Sequence, residues 1–210
     1  MTANSLAGST LIDTIWSNPL SKPVNRAIRF AVLALLGTAL IAITARIQVP
    51  FWPVPMTMQT FAILVVGMAY GWRLGGATVL LYLAEGAVGL PVFARGGGLA
   101  YFMGPTTGYL FGFVLAAMLV GYLAEKGWDR DVLRTLAANT LGTLVIFTGG
   151  FLWLAVFLMQ AKGLDVAGGA YAALAAGVTP FIAGAVAKIA LAAAILPLAW
   201  RLLGRRSVRH

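Results

Sequence analysis

Between Arg26 and Leu203 the chain is a succession of apolar runs, each broken only by a short cluster of proline, glycine or charge. No feature constrains the fold more. A helix needs about 20 mostly apolar residues to cross about 30 Å of hydrocarbon, and in lipid only helices and closed barrels satisfy their own backbone. Six runs are legible. The first covers 26–47; Phe51-Trp-Pro-Val-Pro55 cannot continue it, since two prolines lie two residues apart. The second (56–70) and third (74–90), parted by Gly71-Trp-Arg73, are short, so they stand nearly upright or reach the far interface through loops. After Pro91 a run of glycines bars helix. The fourth run (105–123) opens on a proline, where the missing donor costs nothing, and ends in a charged turn at 125–131. The fifth covers 133–159. The sixth covers 171–203 and is interrupted at Gly177-Val-Thr-Pro180, either a plain kink or a functional break. The expected fold class is all-α, a polytopic membrane protein with a six-helix transmembrane domain over 26–203. A polar N-terminal tail (1–25), amphipathic or disordered and without the apolar core of a signal peptide, precedes it. A basic C-terminal tail (204–210) follows.

Charge is sparse and lopsided. Lys+Arg number 15 against Asp+Glu 6, a formal +9, yet 10% of residues are charged and 60% hydrophobic. Soluble domains carry roughly 25% and 45–50%, so an ordinary soluble domain is excluded, and the basic surface is too thin for nucleic acid. Sorted by loop, Lys22, Arg26, Arg29, Arg73, Lys126, Arg130, Arg134, Arg201, Arg205, Arg206 and Arg209 fall on the side of the termini. Arg46, Arg95 and Lys162 fall on the other, and Lys188 lies inside the sixth run. The positive-inside rule then places both termini in the cytoplasm.

Catalytic equipment is thin. There is no cysteine, and the single histidine is the last residue, His210, which leaves no thiol chemistry and no histidine metal site. No nucleophile elbow, zincin motif, Walker loop or dinucleotide fingerprint occurs. The expectation is no catalytic residue, no metal and no cofactor; uphill transport would need an ATPase on another chain.

What remains are polar groups at or near membrane depth, costly there unless used. Glu85, late in the third run, is either an interfacial carboxylate paired with an arginine or a functional group. Arg95 lies among glycines, where backbone amides and a guanidinium fork suit a carboxylate. Lys188 is eight residues past Pro180, about 12 Å of helix, and needs a ligand or a buried acid as partner. Gln59 opens the second run as a cap or a ligand group. Phe51, Trp52, Tyr82, Phe93, Tyr101 and Tyr109 gather at the same end. Singly they form an interfacial belt; with the rigid loops they form walls of an apolar pocket for a small amphipathic anion. A stripe of small residues on the first run, Ala27-x-x-x-Ala31 continued by Ala34, Thr38 and Ala42, lets another helix approach, within this chain or from a partner.

Four strings, 47–59 (Ile-Gln-Val-Pro-Phe-Trp-Pro-Val-Pro-Met-Thr-Met-Gln), 89–94 (Gly-Leu-Pro-Val-Phe-Ala), 104–113 (Gly-Pro-Thr-Thr-Gly-Tyr-Leu-Phe-Gly-Phe) and 179–184 (Thr-Pro-Phe-Ile-Ala-Gly), resemble in order the BioY family. These are the biotin-specific substrate-binding (S) components of energy-coupling factor (ECF) transporters. The resemblance implies the six-helix S-component fold and high-affinity binding of biotin on the external side. It implies uptake by reorientation, driven by a transmembrane coupling protein and two cytoplasmic ATPase subunits. By resemblance Arg95 matches the carboxylate-binding position and Lys188 the lysine of a Gly-Asp-x-x-Lys motif near the ureido ring. The chain departs from that motif at Ala185, where an aspartate is usual; Glu85 is expected to stand in as counter-ion, with Asp165 as the alternative. Trp52, Tyr82, Tyr101 and Gln59 complete the expected site, and Ala27 and Ala31 match the docking stripe for the coupling protein. Rival readings are an S component for another small vitamin, an intramembrane lipid enzyme using Glu85 or Asp165, and a stand-alone secondary carrier.

Overall fold

In the computed structural model, which describes residues 10–16 and 23–207, the apolar runs are helices and the clusters between them are caps and turns. After a short α1 (Leu11–Ile15) come α2 (Pro23–Arg46), α3 (Gln59–Ala87), α4 (Thr107–Glu125), α5 (Val132–Lys162), α6 (Val166–Gly177) and α7 (Ile182–Ser207). An antiparallel ribbon of β1 (Gln48–Val49) and β2 (Met56–Thr57) links α2 to α3, pairing Gln48 with Thr57. Helix starts and stops follow local chemistry. Asp131 and Asp165 accept from the backbone of Arg134 and Gly168 at the starts of α5 and α6, and Gly163 closes α5 in the left-handed region.

The third element is two arms. Gly71 (φ +79°, ψ 173°) reverses the chain, so that a Cβ on Gly75 would lie 3.0 Å from Gly67 Cα and the side chains of Gln59 and Tyr82 meet. Only glycine takes such a φ cheaply, and a Cβ on Gly71 would also sit 2.5 Å from Glu125 Oε1. At 1.5 Å per residue the arms reach about 18 and 24 Å. Among the described residues five helical stretches are long and apolar enough to cross a membrane, the last running from Val166 to Leu203 through the bend at Thr179–Phe181. With the reversal at Gly71 they make six passes, as expected, and the chain is a multi-pass membrane protein. Its outward side chains suit lipid: Leu35, Leu36, Ile43, Leu144 and Val186 are all more than half exposed.

Packing follows three clusters. The largest, around Tyr82, Phe93, Tyr109, Phe113 and Ile146, fills the end opposite the termini. A middle one joins Leu64, Met68, Val120, Ala138 and Leu196 from four helices. The third, Leu11 with Ala69 and Trp200, closes the end with the termini. It includes part of the expected N-terminal tail: residues 10–16 form a capped helix, with Thr10 and Asp13 bonding each other's backbone and Asp13 paired to Arg29 at 2.8 Å. Burial alone would raise the Asp13 carboxyl, but bonds from Thr10 and Arg29 outweigh it and hold it below the usual 3.8. Of the other residues expected in the tails, 23–25 open α2 and 204–207 end α7, while residues 1–9, 17–22 and 208–210 lie outside the described residues. The small stripe of α2 divides: Ala27 and Ala31 are exposed, whereas Thr38 is buried against the second arm of α3.

Candidate ligand-binding site

At the end opposite the termini a pocket lies among the loop before β2, the first turns of α3 and α4, the middle of α5 and the start of α7. Its walls are apolar and aromatic (Val54, Phe93, Tyr101, Tyr109, Phe147, Phe181), and Lys188 is the one charged group among the described lining residues. About 60 Å³ is free between them, well under the 300–1,000 Å³ of most small-molecule sites, and the loops at 46–55 and 91–98 meet beside it. Three bonds hold them. Arg95 Nη2 donates to the Phe51 carbonyl at 2.6 Å, Gln48 Nε2 to that of Ala94 at 3.3 Å, and Arg46 to that of Pro91. The ring of Phe51 stands edge-on to Phe181, 6.0 Å between centroids.

Two polar groups are aimed by their surroundings. Lys188 Nζ donates to Thr57 O at 2.6 Å and to Thr60 Oγ1 at 3.1 Å. An ammonium has three donors, so one remains. Gln59 Nε2 donates to Tyr82 OH at 2.7 Å, and Tyr82 OH in turn donates to Val92 O at 3.0 Å. The tyrosine's one hydrogen is thereby committed, which fixes the amide and leaves Gln59 Oε1 as an acceptor on the pocket wall. Below them, Tyr109 OH donates to Gly177 O at 2.6 Å, pinning the bend before α7; Gly150 makes room, since a Cβ there would strike the tyrosine ring at 2.2 Å.

Of the residues singled out from sequence, Lys188, Gln59, Phe93, Tyr101 and Tyr109 line the pocket. Tyr82 stands behind Gln59 and Phe93, fully buried, and acts on the site through them. Arg95 is exposed at the mouth, next to the lining Ala94. Trp52 is 71% exposed, its ring under Lys162 Nζ at 5.7 Å. Glu85 is a correction. Expected as the counter-ion of Lys188, it faces α2 instead, where its Oε1 accepts from Thr38 Oγ1 at 3.0 Å. Asp165 is spent capping α6. Lys188 is served by a carbonyl and a hydroxyl, and Ala185, where the aspartate is usual, is a small lining residue. Sequence reasoning passed over Thr57, Thr60, Thr143, Phe147 and Phe181. A polar residue inside an apolar run, as Thr143 is, was the available signal.

A sequence model of the BioY family matches residues 17–205. A protein of Lysinibacillus sphaericus described as a probable biotin transporter BioY is 38% identical over 116 residues, 55% of this chain; the chain spans 59% of that relative's length. The biotin transporter BioY of Thermotoga maritima is 36% identical over 168 residues, 80% of this chain and 93% of the relative. Among solved structures, the S-component for biotin from an ECF-type ABC transporter superposes with a TM-score of 0.66 at 23% identity, covering 86% of this chain and 95% of the other. At that identity the likeness speaks for the fold, and the fold is that of an ECF S component.

Proposed function

The chain belongs to the BioY family, and on that premise we propose that it is the biotin-binding S component of an ECF transporter, taking biotin from the external side of a bacterial inner membrane. The observation that carries this reading is the pairing, in one apolar pocket, of a single cationic donor with a fixed amide acceptor. A ureido ring presents one carbonyl oxygen and two N–H groups. Lys188's remaining N–H meets the oxygen, and Gln59 Oε1 takes an N–H, the role the absent carboxylate at position 185 would otherwise have. Phe93, Tyr101 and Phe147 cover the apolar bicycle. The valerate carboxylate points to the mouth, where Arg95 offers the N–H groups not engaged by Phe51.

Chemistry on the ligand is not required of this chain. Binding parts the loops at 46–55 and 91–98, and their three bonds re-form over the ligand. The exposed Ala27 and Ala31 on α2 suit close approach by a helix of the coupling protein, whose two ATPase subunits drive reorientation. The eleven basic residues on the side of the termini support a cytoplasmic location for that end. Equilibrium binding to the purified chain in detergent tests the reading: biotin binds, desthiobiotin, which keeps the ureido group, competes, and thiamin, a cation facing Lys188, does not. Thiamin displacing biotin, or no biotin binding, overturns it.

A further inference from the structure

The end of the bundle that carries both termini holds a second cavity, about 320 Å³, between α1, the start of α2, the Gly71 turn and the end of α4. Four charged side chains line it: Arg29, Arg73, Asp13 and Glu125. Two are only partly satisfied. Arg29 Nη2 bonds Asp13 Oδ1 and, at 3.3 Å, Ile12 O, but its Nε–H is buried without a partner. Glu125 Oε1 accepts the backbone N–H of Trp72 at 3.1 Å, while Oε2 makes no bond among the described residues. Arg73 is exposed, its guanidinium 5.1 Å from the Trp72 ring. Phe30 and Leu33 of α2 form an apolar wall that continues into that helix's exposed apolar face.

We propose that this cavity binds the headgroup of a zwitterionic phospholipid bearing a primary ammonium, the phosphoethanolamine class. Two guanidiniums and two carboxylates sum to zero, which disfavours a bare anion and matches a ligand carrying both signs. A phosphate has unbridged oxygens for Arg73 and for the buried Nε–H of Arg29, whose desolvation is otherwise uncompensated. An ammonium a short link away supplies N–H to Glu125 Oε2. A choline headgroup has no N–H to give, and a glycerol headgroup brings no cation to the carboxylates. The acyl chains lie along Phe30 and the lipid face of α2, and Trp72 sits where aromatic residues meet headgroups.

The test is native mass spectrometry of the full chain in detergent with equal amounts of dioleoyl phosphatidylethanolamine, phosphatidylglycerol and phosphatidylcholine. Wild type retains the ethanolamine lipid about tenfold over each of the others, the worth of one charge-assisted bond. Glu125→Gln keeps the acceptor for Trp72 N–H but brings the ethanolamine-to-glycerol ratio near one; Arg73→Gln lowers retention of all three. Biotin binding at the far end reports that each variant is folded. Equal retention of the three lipids by wild type, preference for phosphatidylglycerol, or an unchanged ratio in a folded Glu125→Gln overturns the proposal. So does displacement of the lipid by an equal concentration of free phosphoethanolamine, which assigns the site to a soluble phosphate ester.

Discussion

Replacing Lys188 with methionine separates the two ends of the ligand. In the free protein the ammonium spends two of its three donors on Thr57 O and Thr60 Oγ1, and the third is the one proposed to meet the ureido oxygen. A charge-assisted hydrogen bond is worth about 1.5–3 kcal/mol, so the variant should bind biotin about 10- to 150-fold more weakly. The bonds to Thr57 and Thr60 are lost in free and liganded protein alike. Their cost largely cancels in the affinity and appears as a lower melting temperature of the unliganded chain. Titration calorimetry with biotin and with its methyl ester, on wild type and Lys188→Met, decides the assignment. If Lys188 addresses the ureido group, the fold-loss is the same for acid and ester. A loss below twofold, or one that vanishes for the ester, refutes it, the latter because Lys188 would then be holding the carboxylate.

Three further outcomes follow from other parts of the bundle. Ala31→Trp, on the exposed flank of α2, should abolish biotin uptake by cells that carry the coupling module while leaving binding to the purified chain within about twofold, since the packed face of the helix is untouched; lost binding would assign the stripe to the internal fold. Gly71→Ala forces a Cβ into φ +79° and against Glu125 Oε1; strain of about 1–3 kcal/mol and a weakened bond to Trp72 N–H should lower the melting temperature by roughly 10 °C, without altering the affinity of the remaining folded protein. Asp129, fully buried in the turn before α5, has its carboxyl raised by burial, only partly offset by the bond from Trp200 Nε1. Its folded form therefore holds a proton more tightly than the unfolded chain. Stability is greatest below the unfolded value near 3.8 and declines as pH rises toward the folded one. Asp129→Asn keeps an acceptor for Trp200, removes that decline and should melt higher than wild type at neutral pH, whereas Asp129→Ala should melt lower; thermal scans across pH check both.

Span number and most limits were legible because they depend on local chemistry: prolines at 50, 53 and 55, the glycine run, the charged turn at 125–131 and Gly71 act within a residue or two of themselves, whereas the last stretch begins at Val166, five residues before the expected 171, where Asp165 caps it. Hydropathy places a residue at a depth. It does not say which way the residue faces, and every miss at the site is a miss of facing. Glu85 and Lys188 belong to the same half of the bundle, so depth alone made them plausible partners. The rotation of the second arm of α3 turns Glu85 to Thr38, and Lys188 finds Thr57 and Thr60, partners 131 and 128 residues away in the chain. Trp52 and Tyr82 share a level with Tyr101, but one faces outward and one stands behind the wall.

Gln59 owes its role to the direction in which its amide faces. Position alone made it a cap or a ligand group; Met58 is the N-cap residue and makes no side-chain cap. The hairpin at Gly71 brings Tyr82 opposite Gln59, the Gly-rich loop brings the Val92 carbonyl to Tyr82, and one hydroxyl hydrogen passed along that line leaves the amide a single orientation. A side chain that names no chemistry by itself becomes a directed acceptor because three segments of chain converge on it. In the proposed site, that acceptor takes the place of the carboxylate that Ala185 lacks. In Gln59→Glu a carboxylate accepts more strongly but cannot donate to Tyr82, so it should tighten ureido recognition only if Tyr82 turns to donate to it and leaves Val92. Biotin affinity measured alongside Tyr82→Phe in the same background distinguishes the two, since the gain should disappear with the hydroxyl. A gain that survives Tyr82→Phe refutes the relay.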